Sequence, residues 1–288
     1  ATALRTFLIV FTTNVARASP STSSAINNNE RPSLATCSKT GTKSDIKLIF
    51  LFTHNKSIYF RRCFMKDLLD KGAVIQRDMK TYAIAPHVPA GLISSDQLRK
   101  LADVADKYNA KAIKITAAQR IALVGLEEKD IDSAWQDLGM KPGAAIGLCV
   151  RSIKTCPGTT FCKRAFRDSV SIGLKLDDRY HGMNLPNKLK IGVSGCPNSC
   201  SDNHTRDIGL MGTPKGWSVF VGGKGGTLPR LGDKLIMGVS DEKVLNLVDE
   251  IVKVYASNAT GKERLGAYID RVGFDNFISN FDLDCYKN

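Results

Sequence analysis

Four cysteines fall into two close pairs: Cys156-Pro-Gly-Thr-Thr-Phe-Cys162 and, after 33 intervening residues, Cys196-Pro-Asn-Ser-Cys200. Iron favours soft thiolate ligands, and a cubane cluster takes one thiolate per iron, so four thiolates from two loops are what such a cube needs. Pro157, Gly158, Gly195 and Pro197 let the backbone turn tightly and aim its N–H groups at cluster sulfides. Structural zinc is the rival reading. Zinc sites pair cysteines two to four residues apart, which suits the second pair, but five residues separate Cys156 from Cys162. Four buried thiols with no metal at all would be rare for glycine-flanked pairs. The balance favours iron–sulfur. The other cysteines, Cys37, Cys63, Cys149 and Cys285, are scattered, and a disulfide framework belongs to small secreted chains. Cys149 reads as a buried apolar thiol.

The pattern C-P-G-x-x-F-C followed by S-G-C-P-N-S-C resembles the signature of sulfite and nitrite reductases that carry sirohaem coupled to a [4Fe–4S] cluster. Leu185-Pro-Asn-Lys-Leu-Lys-Ile-Gly-Val-Ser-Gly195, Asp207-Ile-Gly-Leu-Met-Gly212, Gly222-Gly-Lys-Gly-Gly226 and Pro229-Arg-Leu-Gly232 look like the same family. The similarity runs from about Lys66 to the C-terminus and is most specific between Gly143 and Gly232. It implies that Cys156, Cys162, Cys196 and Cys200 ligate the cluster, and that Cys200 also bridges to the sirohaem iron.

The implied reaction is the six-electron reduction of sulfite to sulfide, favoured over nitrite to ammonia. Electrons would come from a ferredoxin-like donor or a partner reductase subunit, since no flavin or nicotinamide module is visible. Small oxyanions call for Arg and Lys. Arg151 stands where the family places an arginine, and Lys188 and Lys190 match its lysine pair, two apart and so on one side of a strand. The family's Thr-x-Arg-Gln motif reads here Thr116-Ala-Ala-Gln119-Arg120, with Ala118 at the arginine position. Arg120 or Lys114 would substitute. Asn198, Gly223, Gly225 and Arg230 are placed beside the cofactor.

In isolation, Lys188 and Lys190 read as the wet face of an edge strand. Lys163, Arg164 and Arg167 fit a solvated helix face after Cys162, or contacts to sirohaem carboxylates. His181 and His204, as lone loop histidines, read as surface residues. A non-catalytic electron-transfer or sirohaem-carrying subunit is the alternative function. A zinc-stabilised nucleic-acid binder is a third, suggested only by charge.

These residues need elements to position them. After residue 65, periodic patterning predicts a strand at 81–85, a helix over 94–108 capped by Ser94 or Ser95, strands at 112–116 and 120–124, and a helix over 130–138 closed by Gly139. Leu98, Leu101, Val104 and Ala105 give the first helix its buried stripe. Beyond Pro142 the pattern predicts strands at 189–193, 208–211 and 217–221, then helices at 241–255 and 263–272. The expected fold class is α+β. A ferredoxin-like α/β half-domain (65–141) precedes a sulfite/nitrite reductase-type sirohaem/[4Fe–4S] α/β domain (142–288).

The formal net charge is +13 over 288 residues, but residues 1–64 hold nine Lys/Arg against two acids, about half of the excess. That stretch is Ser/Thr/Asn-rich and precedes the first methionine, Met65. It reads as an extension outside the mature fold, either upstream sequence or a transit peptide. Aromatic residues make up only 7 % of the chain and form no stripe with the basic ones, which argues against nucleic acid. No apolar run approaches the ~18 residues of a membrane span. The expected setting is a cytoplasmic protein without membrane contact. Larger family members hold two copies of this unit, so a homodimer is one way to restore the second.

Overall fold

The computed structural model describes residues 66–287 and the backbone of two short strands before them. The chain divides into two compact units, residues 1–64 and 65–288. In the first, β1 (Leu48–Leu51) pairs antiparallel with β2 (Tyr59–Arg62), Leu48 opposite Arg62. The composition had not led us to expect strands there. Cys37 and Cys63, and the expectation that residues 1–64 lie outside the mature fold, concern residues outside the described ones.

The second unit begins with β3 (Ala73–Ile75) and β4 (Tyr82–Ile84), then α1 (Ser95–Lys107), β5 (Ala112–Ile115), β6 (Ile121–Leu126) and α2 (Ile131–Leu138). The strands form one antiparallel sheet in the order β3-β4-β6-β5. Helix α1 starts where its capping chemistry dictates. Ser94 Oγ accepts from the Gln97 N–H at 3.2 Å, and Gln97 Oε1 accepts from the Ser94 N–H at 3.0 Å, a reciprocal box that satisfies two orphan donors. Leu101, Val104 and Ala105 are buried as expected, while Leu98, in the first turn, is exposed. Gly139 closes α2 in the left-handed region at φ 59°, where a Cβ would be strained. Strand β3 is too short for periodicity to reveal.

The rest of the unit is built on a five-stranded sheet in the order β11-β10-β9-β8-β7. Here β7 (Lys154–Thr155), β8 (Ile191–Ser194) and β9 (Ile208–Thr213) run parallel, while β10 (Gly216–Val221) and β11 (Asp233–Val239) continue antiparallel. Short α3 (Gly158–Phe161) and then α4 (Ser169–Tyr180) bridge β7 to β8, a crossover of the kind parallel strands require. After β11 come α5 (Asp241–Asn258), α6 (Leu265–Val272) and α7 (Phe274–Ile278). All six residues of β10 are buried, as expected for a strand covered on both faces. Trp217, Tyr255, Phe277 and Leu176 are fully buried in this core. The helix expected at 263–272 runs over Leu265–Val272 and ends at Gly273 (φ 85°), after which α7 starts.

The expected helix directly after Cys162 is absent. Residues 163–168 form turns, and α4 starts at Ser169 because Asp168 caps it, accepting from the Val170 and Ser171 N–H groups, both at 3.1 Å.

Candidate active site

The two cysteine loops leave the same edge of the sheet. Thr155 lies opposite Val193 in the parallel β7–β8 pair, and the Cys156 N–H donates to the Val193 carbonyl at 3.0 Å. Cys156 and Cys196 therefore emerge at the C-terminal ends of adjacent parallel strands, the place where open α/β sheets hold ligands. Their backbones touch. A Cβ built on Gly195 would lie 2.6 Å from the Arg167 carbonyl oxygen and 3.1 Å from the Cα of Gly158. Gly195→Ala is accordingly expected to destabilise the protein by about 1–3 kcal/mol, as overpacking does. Thermal unfolding of the variant checks this, and an unchanged midpoint would refute the close approach.

Cys156 is buried, the Gly195 N–H donates to its sulfur at 3.1 Å, and the Ser169 hydroxyl stands 3.2 Å away. The Ser169 hydroxyl donates to the Cys156 carbonyl at 2.9 Å, and an N–H aimed at a thiolate sulfur, as from Gly195, is a means by which proteins tune iron–sulfur centres. The second loop is held by Asn203, which is fully buried. Its Oδ1 accepts from Ser194 Oγ at 2.5 Å and Ser199 Oγ at 2.9 Å, and its Nδ2 donates to the Gly192 carbonyl at 3.0 Å. Ser201 Oγ adds a bond to the Val193 carbonyl at 2.9 Å. Ser199 and Asp202 take left-handed backbone (φ 52° and 57°) to make the loop. Cys162 is half-buried and Cys200 exposed. Among the described residues, no group of three or more His, Cys, Asp or Glu side chains stands close enough to hold a metal ion. The loops are docked, and drawing the four sulfurs onto one centre is work that cluster–thiolate bonds do.

Beside the loops lies a pocket of about 250 Å³ walled by Arg120, Arg151, Lys154, Lys188, Lys190 and Arg206. The four basic residues singled out from sequence are thus brought together in one place. Lys188 and Lys190 flank the fully buried Leu189 just before β8, so both reach the same pocket. Among the described residues neither ammonium has an acidic partner. Burial, with Arg206, Arg264 and Lys188 nearby, pushes Lys190 below the ordinary lysine value. Arg120 is buried, donating to the Gly143 carbonyl and, at 3.2 Å, to Ser152 Oγ, while its Nε is buried without a partner. Arg151 donates to the carbonyls of Ala144 at 2.8 Å and Gly147 at 2.9 Å.

Arg120 does not sit on a strand two residues beyond Ala118, as expected. Residues 116–120 form a turn with Gln119 at φ 58°, and the turn brings both Ala118 and Arg120 to the pocket. Sequence reasoning missed Gln119 itself. Its side chain grips the backbone of Thr155, donating to the carbonyl at 2.6 Å and accepting from the N–H at 2.9 Å. This couples the ferredoxin-like half to the strand that carries Cys156. Lys154 and Arg206 were also missed. Both pair with Asp202, at 2.8 and 2.7 Å, and only their spacing to Cys156 and Asp207 would have hinted at them.

The remaining residues singled out from the sequence lie outside this pocket. Lys114 lies exposed on edge strand β5 and does not line the pocket. Arg230 is engaged by Asp233 at 2.6 Å and Asp270 at 2.9 Å, because its planar fork matches carboxylates, so it braces the fold. Gly223 is required by the protein itself, since a Cβ there would meet the His204 carbonyl at 2.5 Å. Gly225 has open space around it, and Asn198 is exposed between Cys196 and Cys200. Arg167 braces the loop by donating to the Thr213 and Pro214 carbonyls. His181 is no surface residue, being stacked on His87, and His204 packs edge-on to Phe220. Cys149 is buried. A larger depression of about 560 Å³, floored by Tyr108 and Gly125, holds none of these residues.

The donor set fits an iron–sulfur cluster with a polyanionic partner. It offers four thiols on two docked loops, an N–H and a hydroxyl at one sulfur, and six bases alongside. Fold and site together define a class: an α+β redox protein whose cysteine loops stand beside an anion pocket.

Comparison with known proteins sharpens this. The nitrite and sulphite reductase 4Fe-4S domain matches residues 146–288, and the nitrite/sulfite reductase ferredoxin-like half domain matches residues 74–141. The chain is 39 % identical over 205 residues to an assimilatory-type sulfite reductase of Nitratidesulfovibrio vulgaris, covering 71 % of this chain and 94 % of that one. It is also 39 % identical over 207 residues to a nitrite reductase [NAD(P)H] of Bacillus subtilis, covering 72 % of this chain but 26 % of that protein. A dissimilatory sulfite reductase I structure superposes with TM-score 0.63 at 17 % identity over 69 % of this chain and 68 % of its own, a likeness of fold. The chain belongs to the nitrite and sulfite reductase family, oxidoreductases that carry sirohaem and a [4Fe–4S] cluster. No described helix is long and apolar enough to cross a membrane.

Proposed function

We propose that this protein reduces a small oxyanion by six electrons, sulfite in preference to nitrite. The observation that carries the reading is the gathering of six basic side chains around one small pocket beside the cysteine loops. The coverage of nearly the whole length of an assimilatory-type sulfite reductase supports sulfite. At about 250 Å³ the pocket is just below the ~300–1,000 Å³ of typical ligand sites, which suits a small anion.

In this reading Cys156, Cys162, Cys196 and Cys200 would hold the cluster, with Cys200 also the residue nearest to hand for the sirohaem. When bound, the cofactors would relay electrons from the donor and supply the iron chemistry of the reduction. The chain's own residues do the rest. Lys188 and Lys190 neutralise the incoming charge with ammonium groups free of acidic partners, and Arg120 and Arg151 are held rigidly by backbone carbonyls, so little rearrangement accompanies binding. Lys154 and Arg206, shared with Asp202, complete the wall. Electrons come from a ferredoxin-like donor or a partner reductase subunit, and a homodimer would supply the second copy of the unit. Residues 65–141 and 142–288 act as the two working domains of a cytoplasmic enzyme.

The test is sulfide and ammonia formation by anaerobically prepared, sirohaem-loaded protein with a reduced artificial donor. Sulfide formation with the higher kcat/KM is expected, and no reduction of either anion would refute the reading. Lys190→Ala is expected to lower kcat/KM by about a hundredfold or more, the scale seen when a charge-stabilising donor is removed. A change of less than about threefold would take Lys190 out of the site.

A further inference from the structure

Behind the basic pocket two half-buried histidines stand face to face. His87, in the segment after β4, and His181, at the end of α4, stack with ring centroids 3.5 Å apart and planes 20° apart. His87 Nε2 lies 2.6 Å from Asp177 Oδ2 on α4, and Asp177 Oδ1 accepts from the Ile153 N–H at 3.4 Å. His87 Nδ1 and His181 Nε2 are buried without partners among the described residues. A polar nitrogen left so in a native core calls for an explanation. Two imidazolium charges at this separation would repel strongly, so the stack holds at most one proton beyond its neutral form.

The stack is wired to the pocket through one backbone group. The Gly143 carbonyl accepts from Arg120 and, at 3.2 Å, from Ser152 Oγ, and both residues line the pocket. The Gly143 backbone also faces His181. Gly143 has no room for a side chain, since a Cβ there would lie 2.6 Å from both the Ala85 carbonyl and Arg120 Cδ. The charged and titratable groups facing His181 are therefore His87, Asp177 and Arg120. Burial first, and then His87, hold His181 below the ordinary imidazole value, Arg120 adds to the effect, and Asp177 opposes it.

We propose that His87, Asp177 and His181 form a positioning unit for the oxyanion site, in which an anion entering the pocket recruits one proton from solvent onto the histidine stack. This rests on the reading of the pocket as the oxyanion site. The physical basis is the positive charge of Arg120, which opposes protonation of His181 until an anion neutralises it. Linkage makes the effect reciprocal: the protonated stack binds anions more tightly by the same factor. Anion affinity is accordingly highest when the stack is protonated and falls as pH rises through its titration.

Nitrite is the probe, because it keeps its charge across the relevant range whereas sulfite takes up a proton itself. Nitrite titrations of the loaded protein between about pH 5 and 7 are expected to show Kd rising fivefold or more, a modest coupling for linked sites. Calorimetry in two buffers of different ionisation enthalpy should report net uptake of up to one proton per nitrite. His181→Gln and His87→Gln should each flatten the profile. A purely structural role would shift affinity by the same factor at every pH. The absence of proton uptake by the unmodified protein overturns the proposal, and so does a wild-type slope in both folded variants. The unmodified protein alone gives the first readout, so poor folding of a variant does not shield the idea. Nitrite bound but not reduced would refute the proposed function while the pH profile still decides this inference. Failure to bind nitrite at all would sink both.

Discussion

Cys156→Ser protein is expected to come off the column without iron or acid-labile sulfide and to reduce oxyanion more than about a hundredfold more slowly than the parent. That exceeds the ten- to hundredfold cost typical of losing a partner outside the ligand set. Serine places a hard oxygen where iron favours a soft thiolate, yet it keeps the volume and hydrogen-bonding capacity of the buried position. The Gly195 N–H and the Ser169 hydroxyl would still find an acceptor, so the fold should survive. The loss would then lie in the centre and not in the chain. Cys285→Ser is the control, because that thiol is exposed, lies in the C-terminal segment and donates to the Asp282 carbonyl at 2.9 Å. Iron and sulfide assays with an absorption spectrum on the same samples decide the matter. A full complement of cluster in Cys156→Ser, or its loss in Cys285→Ser, would overturn the ligand assignment.

The largest effect on stability is expected at Arg264, far from the cysteines in sequence. Asp207 is fully buried, and its carboxylate is met by Arg264 at 3.1 Å from Nε and 2.5 Å from the terminal nitrogen, and by the Lys190 N–H at 2.8 Å. Arg264→Met removes the fork and leaves a buried carboxylate facing one backbone donor. Breaking a buried pair from one side costs about 3–5 kcal/mol, which for a unit of this size corresponds to a fall in Tm of roughly 6–20 °C. Arg264→Met combined with Asp207→Asn should recover part of the loss, since no unpaired charge then remains. Because Asp207 anchors the backbone of Lys190, the single variant should also weaken oxyanion binding in whatever fraction stays folded. A Tm within about 2 °C of the parent would show that the pair contributes little.

Much of this was legible in the residues themselves. Local capping chemistry placed α1 almost to the residue, since Ser94 and Gln97 satisfy each other's backbone without help from elsewhere. Gly139 ended α2 for an equally local reason. What escaped was non-local or too short to carry a period. Strand β7 has two residues and exists because β8 pairs with it. Helix α4 carries a weak stripe and was displaced from Cys162 by the cap at Asp168. Asn203 has the composition of an ordinary loop residue, and its part in holding the second cysteine loop depends on Gly192, Ser194 and Ser199 meeting it in space.

The sequence by itself determined the family and the candidate ligands: cysteines in two glycine-flanked pairs, basic residues at set distances from them, and the punctuation of the strands. These are local properties, written in side-chain type and spacing. Only the tertiary structure decided which bases share a pocket and which brace the fold. Charge alone does not distinguish Lys190, which faces the pocket without an acidic partner, from Arg230, which is clasped by Asp233 and Asp270. The difference arises from residues up to 40 positions away. The same holds for His87 and His181, two unremarkable letters that the packing of α4 against the ferredoxin-like half turns into one half-buried stack. Pairing across such separations is fixed by close packing of the whole unit, which spacing along the chain does not encode.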